Sequence, residues 1–175
     1  MKRIVITGPE SSGKTTLCQA LAQAFDAPWT PEYAREYLEL LPRAYREEDL
    51  LRMAREQWRR QQELMQQESS FFIFCDTGLL VLYIWAAVRF ASVDPWIKEK
   101  LHNEPADLYL LCRPNIPWES DPLRENPNDR ELLFLRYEQT AKELGLPYET
   151  ITGDSRQQRL AQAIHHLEHW YPNKN

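Results

Sequence analysis

Gly8-Pro9-Glu10-Ser11-Ser12-Gly13-Lys14-Thr15 fits the pattern G-x-x-x-x-G-K-[ST] in full, and its flanks fit as well. Arg3 to Thr7 before it is a short β-rich run, and Lys14 to Phe25 after it has the periodicity of an amphipathic helix. A strand, a glycine loop and a helix in that order make a P-loop. Gly8 and Gly13 permit backbone conformations and a close approach that a Cβ forbids. Successive N–H groups from Ser12 to Thr16 then point at a β-phosphate, at the positive end of a helix. Lys14 is expected to bridge the β- and γ-phosphates, and the Thr15 hydroxyl to ligate Mg²⁺. Glu10, Ser11, Ser12 and Thr16 complete the expected cradle for the nucleotide.

Beyond the loop, strand and helix patterns alternate to the end of the chain, which argues a parallel sheet covered on both faces. The expected strands are Arg3 to Thr7, Ala27 to Thr30, Phe71 to Cys75, Asp107 to Cys112 and Tyr148 to Thr152. The expected helices are Lys14 to Phe25, Glu32 to Leu41, Arg46 to Glu68, Gly78 to Phe90, Pro95 to His102, Asp129 to Leu144 and Ser155 to Trp170. Gly145 suits a helix C-terminus, and Asp154 or Ser155 suits the N-cap of the last helix. Pro114, Pro117, Pro122 and Pro127 forbid regular structure over about residues 113–128, so that stretch reads as a loop or lid. The expectation is a single α/β domain of 175 residues with the three-layer P-loop NTPase fold. Its sheet is five-stranded and mostly parallel.

Composition narrows the partners. A net charge of −5 and a hydrophobic content of 43% suit an ordinary soluble protein and give no global case for nucleic acid or an anionic membrane. The charges of Arg46 to Glu68 alternate in sign, so that helix reads as a solvated face. The three cysteines, Cys18, Cys75 and Cys112, stand apart in apolar contexts and read as buried thiols of a cytoplasmic protein. Met1 to Thr7 runs straight into a strand, leaving no room for a signal peptide. Phe71 to Val88 is apolar, but Asp76, Thr77 and Gly78 split it well short of the ~20 residues that span a bilayer.

A P-loop fixes the donor and leaves the acceptor open. Open α/β sheets bind ligands at the carboxyl ends of their strands, and two acids stand there. Glu32 follows the second strand, and Asp76 ends the third. Asp76 has the place of an aspartate that holds Mg²⁺ or orients an acceptor hydroxyl; the alternative is a cap for the next helix. Glu32 is a candidate base or hydroxyl ligand, or else a surface glutamate in a first helical turn. Arg35 is a candidate for contact with phosphoryl or substrate, or for pairing with Glu32 or Glu39. The lid carries Trp118, Asp121 and Arg124, with Arg130 just beyond it. Arginines brought over the nucleotide would neutralise charge on the transferring group and exclude water. Of the aromatics near the strand ends, Trp29, Tyr33, Tyr37, Tyr83, Trp85 and Trp118, one or two are candidates to stack on a flat ring.

Four pieces together are more specific than the P-loop alone: Gly8 to Leu17, Pro31-Glu32-Tyr33-Ala34-Arg35-Glu36-Tyr37, Cys75-Asp76-Thr77, and Pro117-Trp118-Glu119-Ser120-Asp121-Pro122-Leu123-Arg124. With the ending from Leu146-Pro147-Tyr148 to Gly153-Asp154, they resemble the ribosylnicotinamide kinase domain of NadR-type bacterial NAD regulators over nearly the whole chain. The resemblance implies ATP-dependent phosphorylation of the 5′-hydroxyl of nicotinamide riboside, giving nicotinamide mononucleotide. It carries Glu32, Asp76 and Asp121 as acidic site candidates and Trp118 as a stacking candidate. The larger regulators add a DNA-binding domain and an adenylyltransferase domain, neither of which this sequence contains, so those activities are not carried over. Two other readings stay open. One is a kinase of another nucleoside or nucleoside monophosphate, for which Arg35 alone supplies little cationic charge. The other is a nucleotide-dependent switch that presents Arg46 to Glu68 to a partner. No base-reading motif chooses between ATP and GTP, and nothing in the sequence gives an oligomeric state.

Overall fold

A computed structural model describes residues 1–120 and 128–172. The elements run β1 (Lys2–Thr7), α1 (Lys14–Ala24), β2 (Trp29–Thr30), α2 (Tyr33–Leu40), α3 (Glu47–Gln67), β3 (Phe72–Asp76) and α4 (Leu79–Phe90). They continue with α5 (Pro95–Asn103), β4 (Leu108–Cys112), α6 (Arg130–Glu143), β5 (Tyr148–Ile151) and α7 (Arg156–Trp170). Element types agree with the sequence throughout the described residues. The strands form one five-stranded sheet in the order β2-β3-β1-β4-β5. Every pairing is parallel.

The alternation of side chains along each strand builds two cores. Val5, Ile73, Cys75, Tyr109 and Leu111 point to one face and pack under α3, α4, α5 and α6. Ile4, Ile6, Phe72, Phe74, Leu108, Leu110 and Ile151 point to the other and meet Leu17, Cys18 and Leu21 of α1 and Ala163 and Leu167 of α7. Strands buried on both faces are apolar without interruption, which is the pattern of β4 and of β3 up to Cys75. Each Leu, Ile or Phe so buried contributes about 1.5–3 kcal/mol relative to exposure, so the sheet dominates the stability.

Local signals set the helix ends. Asp94 accepts from the Trp96 N–H at 2.8 Å with Pro95 in the first turn of α5. Ser155, rather than Asp154, caps α7 by accepting from Gln158. Asp49 accepts the Arg46 backbone N–H at 2.7 Å and closes the start of α3. The second strand is shorter than expected because the Ala27 N–H turns back to the carbonyl of Ala22 and so finishes α1. Asp76 does not cap α4: it is the last residue of β3, and the N-cap is Gly78.

Strand register decides where the two acids stand. Ile6 pairs with Asp76, and Thr30 pairs with Cys75. Asp76 is therefore level with the last residues of β1 before the P-loop, and Glu32 emerges one step beyond it at the same sheet edge. No helix among the described residues is long and apolar enough to cross a membrane.

Candidate active site

The P-loop leaves β1 at the point where the chain switches sides of the sheet, since β3 lies to one side of β1 and β4 to the other. Two positions in it require glycine. At Gly8, φ is 135° and an added Cβ would stand 2.6 Å from the Cys112 carbonyl oxygen. Gly13, at φ 77°, opens α1 from the left-handed region. Inside the loop the Ser12 hydroxyl donates to the Pro9 carbonyl at 2.7 Å, and the Lys14 ammonium donates to the same oxygen at 2.8 Å.

Distant segments hold this loop from outside. Arg159 of α7 donates to the Ser12 carbonyl at 2.7 Å, and also to the carbonyls of Gly153 and Arg113 and to Asn115. Arg130 donates to the Ser11 carbonyl at 3.0 Å and to the Ile116 carbonyl. The Glu119 N–H donates to the Ser11 hydroxyl at 2.9 Å. Arg159 is 3% exposed, and burial lowers its pKa from the usual arginine value. It serves as a tie between the P-loop and two loops. Sequence reasoning passed over it, although Arg156 and Arg159 in the first turn of α7 oppose the helix dipole and so gave a signal.

A cleft of about 290 Å³ opens over the loop. Gly8, Glu10, Ser11, Ser12, Gly13, Lys14, Thr15, Thr16, Glu32 and Arg35 all line it. Ile84, Trp85 and Val88 of α4 and Leu133 and Tyr137 of α6 give it apolar and aromatic lining. The Trp85 indole N–H is satisfied by the Tyr45 hydroxyl at 2.9 Å, which leaves its ring fixed in the lining. Asp76 lies beneath the surface, 1% exposed, and its Oδ1 has no hydrogen-bond partner. Burial raises its carboxyl above the ordinary value, opposed by a hydrogen bond with Thr15 and by the charges of Lys14 and Arg35. Burial raises Glu32 likewise, with Lys14 opposing and Asp76 adding to the rise. Lys14, Thr15, Glu32 and Asp76 therefore share one electrostatic neighbourhood.

Other expected site residues stand at the edge of the cleft or outside it. Tyr33 turns out of the cleft to stack under the Arg60 guanidinium at 4.3 Å. Arg35 keeps a 3.9 Å contact with Glu39 at the cleft edge. Trp118 lies under the Arg130 guanidinium at 5.5 Å and does not line the cleft, so Arg130 spans Trp118 and the P-loop rather than the open space. Asp121 and Arg124 fall outside the described residues. Residues 113–120 carry no helix or strand, as the prolines require.

The family model for the AAA domain matches residues 3–159. The chain belongs to that AAA domain family. Among curated relatives of this AAA domain chain is the "Trifunctional NAD biosynthesis/regulator protein NadR" of Salmonella typhimurium. It is 25% identical over 130 residues, covering 71% of this chain and 31% of the relative. The crystal structure of NadR protein in complex with NR superposes with a TM-score of 0.79 at 25% identity, covering 97% of this chain and 51% of that one. NadR protein in complex with NAD and AMP-PNP gives the same TM-score and identity, with 49% of that chain covered. The AAA domain chain thus spans at most about half the length of these relatives. A deoxyadenosine kinase from M. mycoides with bound dATP shares the fold at a TM-score of 0.60 and 17% identity. The fold is that of the P-loop kinases.

Proposed function

We propose that this protein is an ATP-dependent kinase that phosphorylates the 5′-hydroxyl of nicotinamide riboside, giving nicotinamide mononucleotide and ADP. The observation that carries the reading is one cleft lined by the P-loop, by Glu32 and by aromatic side chains of α4 and α6, with the buried Asp76 carboxyl bonded to Thr15 of the loop. Glu10, Glu32 and Glu119 line the cleft together with Trp85 and Tyr137. Acids and aromatic faces suit a cationic ring such as the pyridinium of the riboside. The acids Glu10, Glu32 and Glu119 would repel an acceptor that already carries a phosphate, which favours a nucleoside over a monophosphate.

In this mechanism the P-loop N–H groups and Lys14 hold the donor phosphates, Lys14 leaving the Pro9 carbonyl for them. The site fits Mg²⁺: the Thr15 hydroxyl and the buried, unpartnered Asp76 Oδ1 are hard oxygen donors side by side. Thr15 and Asp76 would hold the ion there, and it would supply neutralisation of charge on the donor phosphates. Glu32, whose raised pKa brings it closer to neutrality, takes the proton of the acceptor hydroxyl. The acceptor oxygen then bonds to the γ-phosphorus as the bridging P–O bond breaks, and the electron pair leaves on ADP. Arg130 keeps the P-loop in place for this in-line geometry, and Arg124 and Asp121 are proposed as lid contacts to phosphoryl and substrate. Sequestration from water limits idle ATP hydrolysis.

The test is ADP release with ATP and Mg²⁺ across a panel of nicotinamide riboside, adenosine, deoxyadenosine, cytidine, thymidine and thymidine monophosphate. Nicotinamide riboside is expected to give the highest kcat/KM, and Lys14→Ala to remove turnover. A rate with nicotinamide riboside no higher than with ATP alone sinks the acceptor assignment.

A further inference from the structure

Helix α3 packs against the sheet and α4 largely through apolar side chains, Leu50, Met53 and Ala54 among them. Two further residues on its inner face are glutamines. Gln57 and Gln61 are each 2% exposed. Burying an amide without partners is costly, so a face that hides two of them must use them.

Both amides reach backbone rather than side chains. The Gln57 Oε1 accepts the Tyr33 N–H at 2.7 Å, and its Nε2 donates to the Pro31 carbonyl at 3.2 Å. One side chain thus grips the chain on either side of Glu32. Tyr33 opens α2, so Gln57 satisfies an N–H that the first turn of that helix leaves without an intrahelical partner. One helical turn later, the Gln61 Nε2 donates to the Thr77 carbonyl at 3.1 Å. Thr77 directly follows Asp76 and stands at φ 64°, a left-handed conformation that a β-branched residue keeps only when its surroundings hold it.

We infer that Gln57 and Gln61 are positioning residues for phosphoryl transfer, fixing the segment around Glu32 and the residue that follows Asp76 to one rigid face of α3. The spacing of the two carboxyls is then tied to an i, i+4 step on one helix. This rests on the kinase reading above. Apolar side chains of the same length would fill the same volume, so packing alone does not account for the amides.

The experiment compares wild type with Gln57→Met, Gln61→Met and Gln66→Met, the last on the exposed face of α3. Each is measured for AMP-PNP affinity and site count, and for kcat and both KM values with the best acceptor of the panel. Gln66→Met is expected to match wild type. The two buried variants are expected to bind AMP-PNP within about twofold of wild type while kcat per competent site falls about 10- to 100-fold, as small misplacements of reacting groups do. Gln57→Met should also raise the acceptor KM. If either Met variant loses AMP-PNP binding, Gln57→Glu and Gln61→Glu keep the side-chain size, remove the bonds donated to Pro31 and Thr77, and are read in the same way. Unchanged kcat per competent site with unchanged acceptor KM overturns the inference alone. A wild type with no turnover on any acceptor overturns the kinase reading and this inference with it.

Discussion

At the scale of single residues, Asp76 and Glu32 set function against stability. Both carboxyls have their pKa raised by burial in the fold. A carboxyl raised in the folded state favours folding while protonated, below its unfolded pKa, and that stability is lost as the pH rises through the folded value. At neutral pH the charged site is therefore a strain on the fold that chemistry requires. Asp76→Asn is expected to raise Tm at pH 7.5 and to cut kcat by about 10²-fold or more. The Tm difference should shrink as the pH falls into the ordinary carboxylate range, where the native aspartate is neutral too. Thermal melts at pH 4 and pH 7.5, beside steady-state rates, check both parts. A variant less stable than wild type at pH 7.5 would mean that the bond with Thr15 outweighs desolvation.

At the scale of elements, α3 joins a buried ion cluster at its start to the amides one face along. Asp49 is fully buried and bonded to the Arg43 guanidinium at 2.6 Å, to the Tyr37 hydroxyl at 2.6 Å and to the Arg46 N–H. Those partners, Arg43 foremost, hold its carboxyl well below the usual carboxylate range. The sign is opposite to that of Asp76: this stability is present above the unfolded pKa and is lost only as the pH falls toward the folded one. Asp49→Asn should cost about 2–3 kcal/mol in urea unfolding at pH 7, less than a wholly buried pair because Arg43 remains 34% exposed. A loss under ~0.5 kcal/mol would contradict the role given to the cluster. Elements such as α3 were legible because a long amphipathic period survives any tertiary context, and the P-loop because its chemistry is local. The start of β2 was not, since the Ala27 N–H chooses α1 over the sheet. Tyr33 reads like a cleft residue in sequence, but helix direction turns its ring toward Arg60. Tyr137 belongs to a helix far along the chain, where one inward side chain looks like any other core position.

At the scale of the whole molecule, the cleft draws on the P-loop, α1, α2, α4, α6 and α7, so a ligand bound there ties both helical layers together. AMP-PNP with Mg²⁺ at 100 times its Kd should add about 2.7 kcal/mol, which for a chain of this size is about 5–10 °C in Tm. EDTA should remove much of that gain if Thr15 and Asp76 share the metal, and an unchanged gain would argue that they do not. The cysteines offer a second reading of the same coupling. Cys18, Cys75 and Cys112 are each 0% exposed, and burial pushes the thiols of Cys75 and Cys112 up to about 11. Such thiols ignore a disulfide reagent until the sheet opens. Their modification rate in native buffer is then a clock for opening, and it needs no added label. With fast reclosing, saturation by AMP-PNP at 100 times Kd should slow that clock about 100-fold. Three residues with no part in the chemistry would thus report, from the middle of the sheet, whether the cleft above them is filled.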